Sequence, residues 1–179
     1  MESTNLYLES VKKQMFYYKT IAEKAIDQLN SEQLFVMSNE DTNSIAVILQ
    51  HIAGNMLSRW TDFLTSDGEK EWRDRDAEFE NKITTKEELL GLWEKGWKCF
   101  FDAINDLKSQ NLSQIIYIRN EEQTVIDAIN RQLAHYPYHI GQIVFYAKML
   151  KKQTWNSLSI PKNQSKEYNS IKFSKENNL

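Results

Sequence analysis

The sequence predicts an all-α protein folded as a four-helix bundle with a long crossover loop. Apolar residues recur at alternating steps of three and four along several segments. Only five Gly and two Pro punctuate 179 residues, and four of the glycines (Gly54, Gly91, Gly96 and Gly141) fall inside those periodic segments rather than between them, which argues against a turn-rich β architecture. A hydrophobic content of 41% can fill one sizeable core. A single domain over residues 1–179 is therefore expected, with an irregular tail from about residue 151.

The first helix is expected to begin after Ser3 or Thr4 and to bury Leu8, Val11, Met15, Tyr18, Ala22, Ala25 and Leu29 as a bundle seam. The second follows the capping cluster Asp41, Thr42, Asn43 and Ser44 and carries Ile45, Ile48, Ile52, Met56, Trp60 and Phe63 to an end near Asp67 and Gly68. Residues 65 to about 84 lose the periodicity in a dense mixture of acids and bases around Trp72 and Phe79, which marks the crossing loop. Thr85 followed by Glu88 forms a capping box at the start of the third helix, whose core stripe is Trp93, Trp97, Phe100, Ile104 and Leu107. A short β-like run, Ile115 to Ile118, precedes a polar turn at residues 120–123. Thr124 with Asp127 then caps a fourth helix reaching about Leu150.

A net charge of −3 and a pI near 5.7 leave no basic face for a nucleic-acid backbone. The segment from Lys151 onward is locally basic, but such a run reads as solvated surface. The N-terminus has no apolar run preceded by positive charge, and no stretch approaches the roughly 18 apolar residues of a membrane span. A cytoplasmic protein with no membrane partner is expected. The single cysteine, Cys99, sits between Trp97 and Phe100 and is expected to pack in the core.

His135 and His139 are four residues apart, which on a helix places them on one face, about 40° apart and roughly 6 Å along the axis. Two imidazoles so placed can grip one ion, although the same spacing also occurs in surface or core histidines. The remaining histidine, His51, lies on another helix among Val47, Ile48, Gly54 and Asn55, where an unpaired imidazole would carry a desolvation cost that ligation offsets. His51, His135 and His139 are thus the expected metal ligands. The zinc-peptidase motif is absent, because Tyr136 stands where that chemistry needs a Glu. No general base is built in, yet three imidazoles leave coordination positions open to water or a thiol.

Asn55 and Gln142 are candidates to support the imidazoles or a substrate, or are ordinary bundle polar residues. Arg59, Trp60 and Asp62 line a pocket mouth or merely end a helix facing solvent. Pro137 cannot donate to the carbonyl of Leu133, so a kink or opening is expected there, either aiming the histidine pair or simply accommodated.

Three stretches carry a resemblance spanning residues from about 5 to 170: LQHIAGNMLSRWTDFLTSDGEKEWRDRDAEF, QLAHYPYHIGQIVFYAK and WNSLSIPKNQSKEYN. They resemble an uncharacterised bacterial subgroup of the DinB/YfiT-like superfamily of metal-dependent enzymes. The resemblance implies a four-helix bundle, a metal held by His51, His135 and His139, and a homodimer. It implies nickel, zinc or manganese, of which histidine-rich ligation favours zinc or nickel. Relatives with known chemistry include transferases that use small thiols such as bacillithiol, where the metal activates the thiol, as well as isomerases that use mycothiol. The expected function is therefore a metal-dependent small-thiol S-transferase or hydrolase acting on a small molecule. The alternative is a metal-binding or stress-response bundle without turnover.

Overall fold

The computed structural model describes residues 6–80 and 82–174, and within them the chain is mostly helical with one small two-stranded sheet. Four long helices form the frame: α1 (Leu6–Ile26), α3 (Ile45–Trp60), α4 (Lys86–Asp106) and α5 (Val125–Lys151). Two shorter helices, α2 (Ser31–Leu34) and α6 (Ser165–Phe173), a hairpin of β1 (Ile115–Ile118) and β2 (Glu121–Thr124), and 3-10 turns at Asp76–Phe79, Ser109–Asn111 and Lys152–Thr154 complete the described elements. Helix α3 packs along α4 and α1 along α5, while α3 also meets α5.

The periodic residues of α1 do what their spacing requires. Leu8, Val11, Met15, Ala22 and Ala25 are buried, Tyr18 is half-buried, and Leu29 is buried from the turn that follows. The expected start after Ser3 or Thr4 lies outside the described residues. Asn30 and Gln33 close a capping box on the single turn of α2, which seats Leu34 in the core.

Ser44 caps α3 by accepting from the Val47 N–H. Helix α3 is buried on nearly every side, which is why its sequence is apolar all round. It stops at Trp60 rather than near Gly68. Asp62 turns to a positive φ of 49°, its carbonyl accepts from the Thr65 and Ser66 N–H groups, and the Gly68 N–H donates to the Tyr117 carbonyl at 2.8 Å. The chain thus leaves the helix to join the hairpin.

Helix α4 begins at Thr85, whose Oγ1 accepts from the Glu88 N–H at 3.3 Å. The return half of the expected box differs: the Thr85 hydroxyl donates to Glu88 Oε2 at 3.0 Å. Trp93, Trp97, Phe100, Ile104 and the following Leu107 are buried as their period demands. Gly96 lets α4 approach α3, since a Cβ there would lie 3.0 Å from the Ala53 Cα.

The polar turn expected at residues 120–123 is shorter than that. Arg119 and Asn120, at φ of 56° and 59°, form a two-residue turn of the type whose twist suits a hairpin, and residues 121–124 are its second strand. The Asp67 carboxylate holds this turn by accepting from the Arg119 and Asn120 N–H groups at 2.8 and 2.7 Å. Thr124 and Asp127 close the expected capping box on α5, which continues as α-helix through Pro137 instead of opening there. The tail after residue 151 is not wholly irregular, because it includes α6. It is tied back by the Asn156 N–H donating to Gln28 Oε1 at 2.8 Å and by Gln28 Nε2 donating to the Asn156 carbonyl at 3.1 Å. Among the described residues no helix is long and apolar enough to cross a membrane.

Candidate metal centre

Helices α3 and α5 bring His51, His135 and His139 together. One ligand nitrogen from each lies within 4.8 Å of the others, a group that can hold a metal ion. The Nε2 atoms of His135 and His139 are 3.1 Å apart. A tetrahedral ion with bonds of about 2.0–2.1 Å to nitrogen separates its ligands by about 3.3 Å, so the pair on α5 already stands at a chelating distance. The His51 ring meets both edge-on, with centroids 5.6 and 5.0 Å away.

Each ring is oriented through its other nitrogen. His51 Nδ1 lies 2.9 Å from Glu78 Oε2, His135 Nδ1 3.1 Å from Gln132 Oε1, and His139 Nδ1 2.8 Å from Gln142 Oε1. All three partners are acceptors, so each Nδ1 carries the hydrogen, and His135 and His139, held neutral, each keep an Nε2 lone pair. Two such lone pairs 3.1 Å apart without a cation repel one another, and with His51 beside them the donor set suits a Lewis acid. The Glu78–His51 pair is the carboxylate–histidine arrangement that fixes a ligand's tautomer and raises its basicity.

Glu78 arrives from the crossing loop, on a short 3-10 turn at Asp76–Phe79 whose Ala77 N–H is capped by Asp74. Gln50, the neighbour of His51, donates to the carbonyls of Ala77 and Glu78, both at 3.0 Å, and anchors that turn against α3. Arg73 grips the carboxylate from behind, with Nε 2.7 Å from Oε1 and Nη2 2.9 Å from Oε2. A Cβ at Gly54 would sit 2.3 Å from Glu78 Oε1. Glycine is thus the residue that allows the carboxylate to reach His51. In the sequence Glu78 and Arg73 lie within the charged run of the crossing loop and carry no mark that sets them apart. The available signal was Gly54 itself, placed on the His51 face of a helix where glycine is otherwise unfavourable.

The electrostatics favour a neutral histidine pair on α5. Burial, reinforced by the charges that His139, His51, Arg131 and Arg59 would set against it, pushes the His135 pKa down to about 3. Burial lowers His139 as well, and His51 adds to this against the opposing bond from Gln142. At Glu78 burial works to raise the pKa, but the hydrogen bonds from His51 and Arg73 and the Arg73 charge outweigh it and keep the carboxylate ionised.

Gln142 therefore contacts a histidine directly, whereas Asn55 does not. The Asn55 Oδ1 accepts from the Tyr136 hydroxyl at 3.1 Å, which itself accepts from the Trp60 indole at 3.0 Å. A cavity of about 180 Å³ opens beside His51 and His135, bordered also by Asn55, Gln132 and Arg59. Trp60 and Asp62 border a different cavity. Cys99 lines that second cavity too, half-buried and packed against the core rather than within it. Gly141 makes no close approach, since a Cβ there would meet nothing within 4 Å.

No curated protein and no solved structure matches the chain. Residues 2–164 match the family model described as "Protein of unknown function (DUF1572)". With nearly its whole length covered by that one model, the chain belongs to the DUF1572 family.

Proposed function

We propose that the protein is a metal-dependent enzyme of the DinB/YfiT-like superfamily, a four-helix bundle that binds one zinc or nickel ion on His51, His135 and His139. Its reaction is transfer to or from a small thiol, or hydrolysis, on a small substrate. The observation that carries this reading is the convergence of one ligand nitrogen from each of three histidines whose Nδ1 atoms each face a separate acceptor, Glu78, Gln132 and Gln142. Ordinary core histidines need no such convergence.

A divalent ion bound there supplies Lewis acidity and lowers the pKa of an incoming thiol or water. The chain's own groups do the rest. Gln132 and Gln142 hold the α5 pair in one tautomer, Glu78 holds His51, and Arg73 keeps Glu78 charged and in place. The cavity beside His51 and His135 offers a substrate approach from one side of the cluster.

Elemental analysis of untagged protein, beside a His135→Ala/His139→Ala variant, tests the centre. About one ion per chain, lost in the variant, is expected. Metal-loaded protein should then consume a model electrophile in the presence of a small thiol, and His51→Ala should not. Protein that carries no ion and takes up neither zinc nor nickel overturns the reading.

A further inference from the structure

Of the 22 basic side chains in the sequence five are arginines, and all five line the cavity of about 180 Å³ beside His51 and His135, whereas no lysine does. Arg59 comes from α3, Arg73 and Arg75 from the crossing loop, Arg119 from the hairpin turn and Arg131 from α5. Elements far apart in sequence thus deliver one residue type to one place, in a chain whose net charge is −3. Arginine differs from lysine in its planar fork of donors, which matches the two oxygens of a carboxylate or the face of a phosphate.

The protein's own carboxylates do not balance this charge. Glu69 Oε2 receives Arg59, Arg73 and Arg119 at 3.0, 3.4 and 3.2 Å, and Glu78 receives Arg73. Among the described residues Arg75 and Arg131 have no ion-pair partner. Two carboxylates thus face five guanidinium groups. Arg59 is only 5% exposed, and its Nε is buried with no hydrogen-bond partner, a cost the fold would carry for nothing unless an acceptor visits. Burial first, and then the charges of Arg73 and Arg131, lower the Arg59 pKa against the opposing pull of Glu69.

We infer that this cavity binds the anionic head, a carboxylate or a phosphate, of a small substrate or cosubstrate whose reacting end lies at the histidine cluster. The inference rests on the metal-centre reading for what happens at that reacting end, but anion binding itself does not require it. The volume would hold about six waters at roughly 30 Å³ each, which suits one such head and not a large polyanion. Its position against His51 and His135 orients the remainder of the molecule toward the ligands.

The full chain, metal-free and zinc-loaded, is titrated calorimetrically at low ionic strength with inorganic phosphate and with succinate, and metal content is read on the same samples. Saturable one-site binding of at least one anion is expected, with the stronger of the two naming the head group. Arg75→Gln/Arg131→Gln should weaken it at least tenfold, since both side chains are free of ion pairs and their loss leaves the Glu69 and Glu78 salt bridges intact, removing only the stacking of Arg75 over Phe79. Lys98→Gln, distant from the cavity, should change nothing. Should the double variant melt early, Arg131→Lys gives the same reading, keeping the charge and losing the fork. Neither anion saturating, or wild-type affinity in the arginine variants, overturns the inference. Anion binding without any metal uptake would instead sink the metal reading and leave this one standing.

Discussion

Gly54→Ala sets two well-defined effects against each other. In a helix interior the methyl is worth about 1 kcal/mol of stability relative to glycine. At this position, however, the new Cβ lands 2.3 Å from Glu78 Oε1 and 2.8 Å from its Cδ. Restoring an ordinary contact of about 3.5 Å drives the carboxylate back by about 1.2 Å, enough to break its 2.9 Å bond with His51. A charge-assisted hydrogen bond in such a site, where the Glu78 side chain is 8% exposed, is worth about 1.5–3 kcal/mol. The expected net is a loss of about 0.5–2 kcal/mol, read as a lowered urea midpoint at unchanged slope. Metal affinity should fall about 10- to 100-fold, the usual penalty for losing a ligand's supporting carboxylate, and Glu78→Gln should fall with it. Competitive chelator titration measures this. A variant that gains about 1 kcal/mol and binds metal as tightly as wild type would refute the role assigned to Glu78.

Gly141→Ala provides the contrast, because its Cβ meets nothing within 4 Å: stability should rise by up to about 1 kcal/mol with metal content unchanged, measured by the same denaturation and elemental assays. The metal-free protein should lose stability as pH falls from about 6.5 toward about 3. Over that window the unfolded chain takes up a proton at His135 that the folded chain, with its pKa lowered to about 3, refuses. Urea midpoints at pH 7.5 and pH 5 check the sign, and a flat profile would contradict the burial of a neutral imidazole.

Much of the frame was legible because it is local. The three-and-four spacing along α1 and α4, and the Thr124–Asp127 cap on α5, are properties of one helix and survive any packing partner. The spacing of His135 and His139 is of the same kind. The end of α3 was misplaced by sequence because Phe63 keeps an apolar rhythm after the helix has stopped, and it is buried from the turn instead. Strand β2, read as turn, has the sequence EEQT and no apolar alternation, so only its pairing with β1 identifies it. Glu78 and the arginine cavity were invisible for a related reason: they depend on a loop folding back across α3, which no periodicity encodes.

That loop is where fold and site become one problem. Its acids and bases mark it in the sequence only as a crossing loop, and its Trp72 is 60% exposed. Yet Asp67 clamps the hairpin turn, Glu69 gathers three arginines, and Arg73 holds Glu78 against His51. Few apolar side chains hold the segment down, so its order depends on these charge-assisted bonds and on the grip of Gln50. Segments held in this way open at lower free energy than a helical core. An ion on His51 favours the tautomer that Glu78 enforces, and therefore favours the closed loop. Ligation and loop order are then linked by mass action: whatever stabilises one raises the population of the other, and with it the population in which the loop's Arg73 and Arg75 line the cavity.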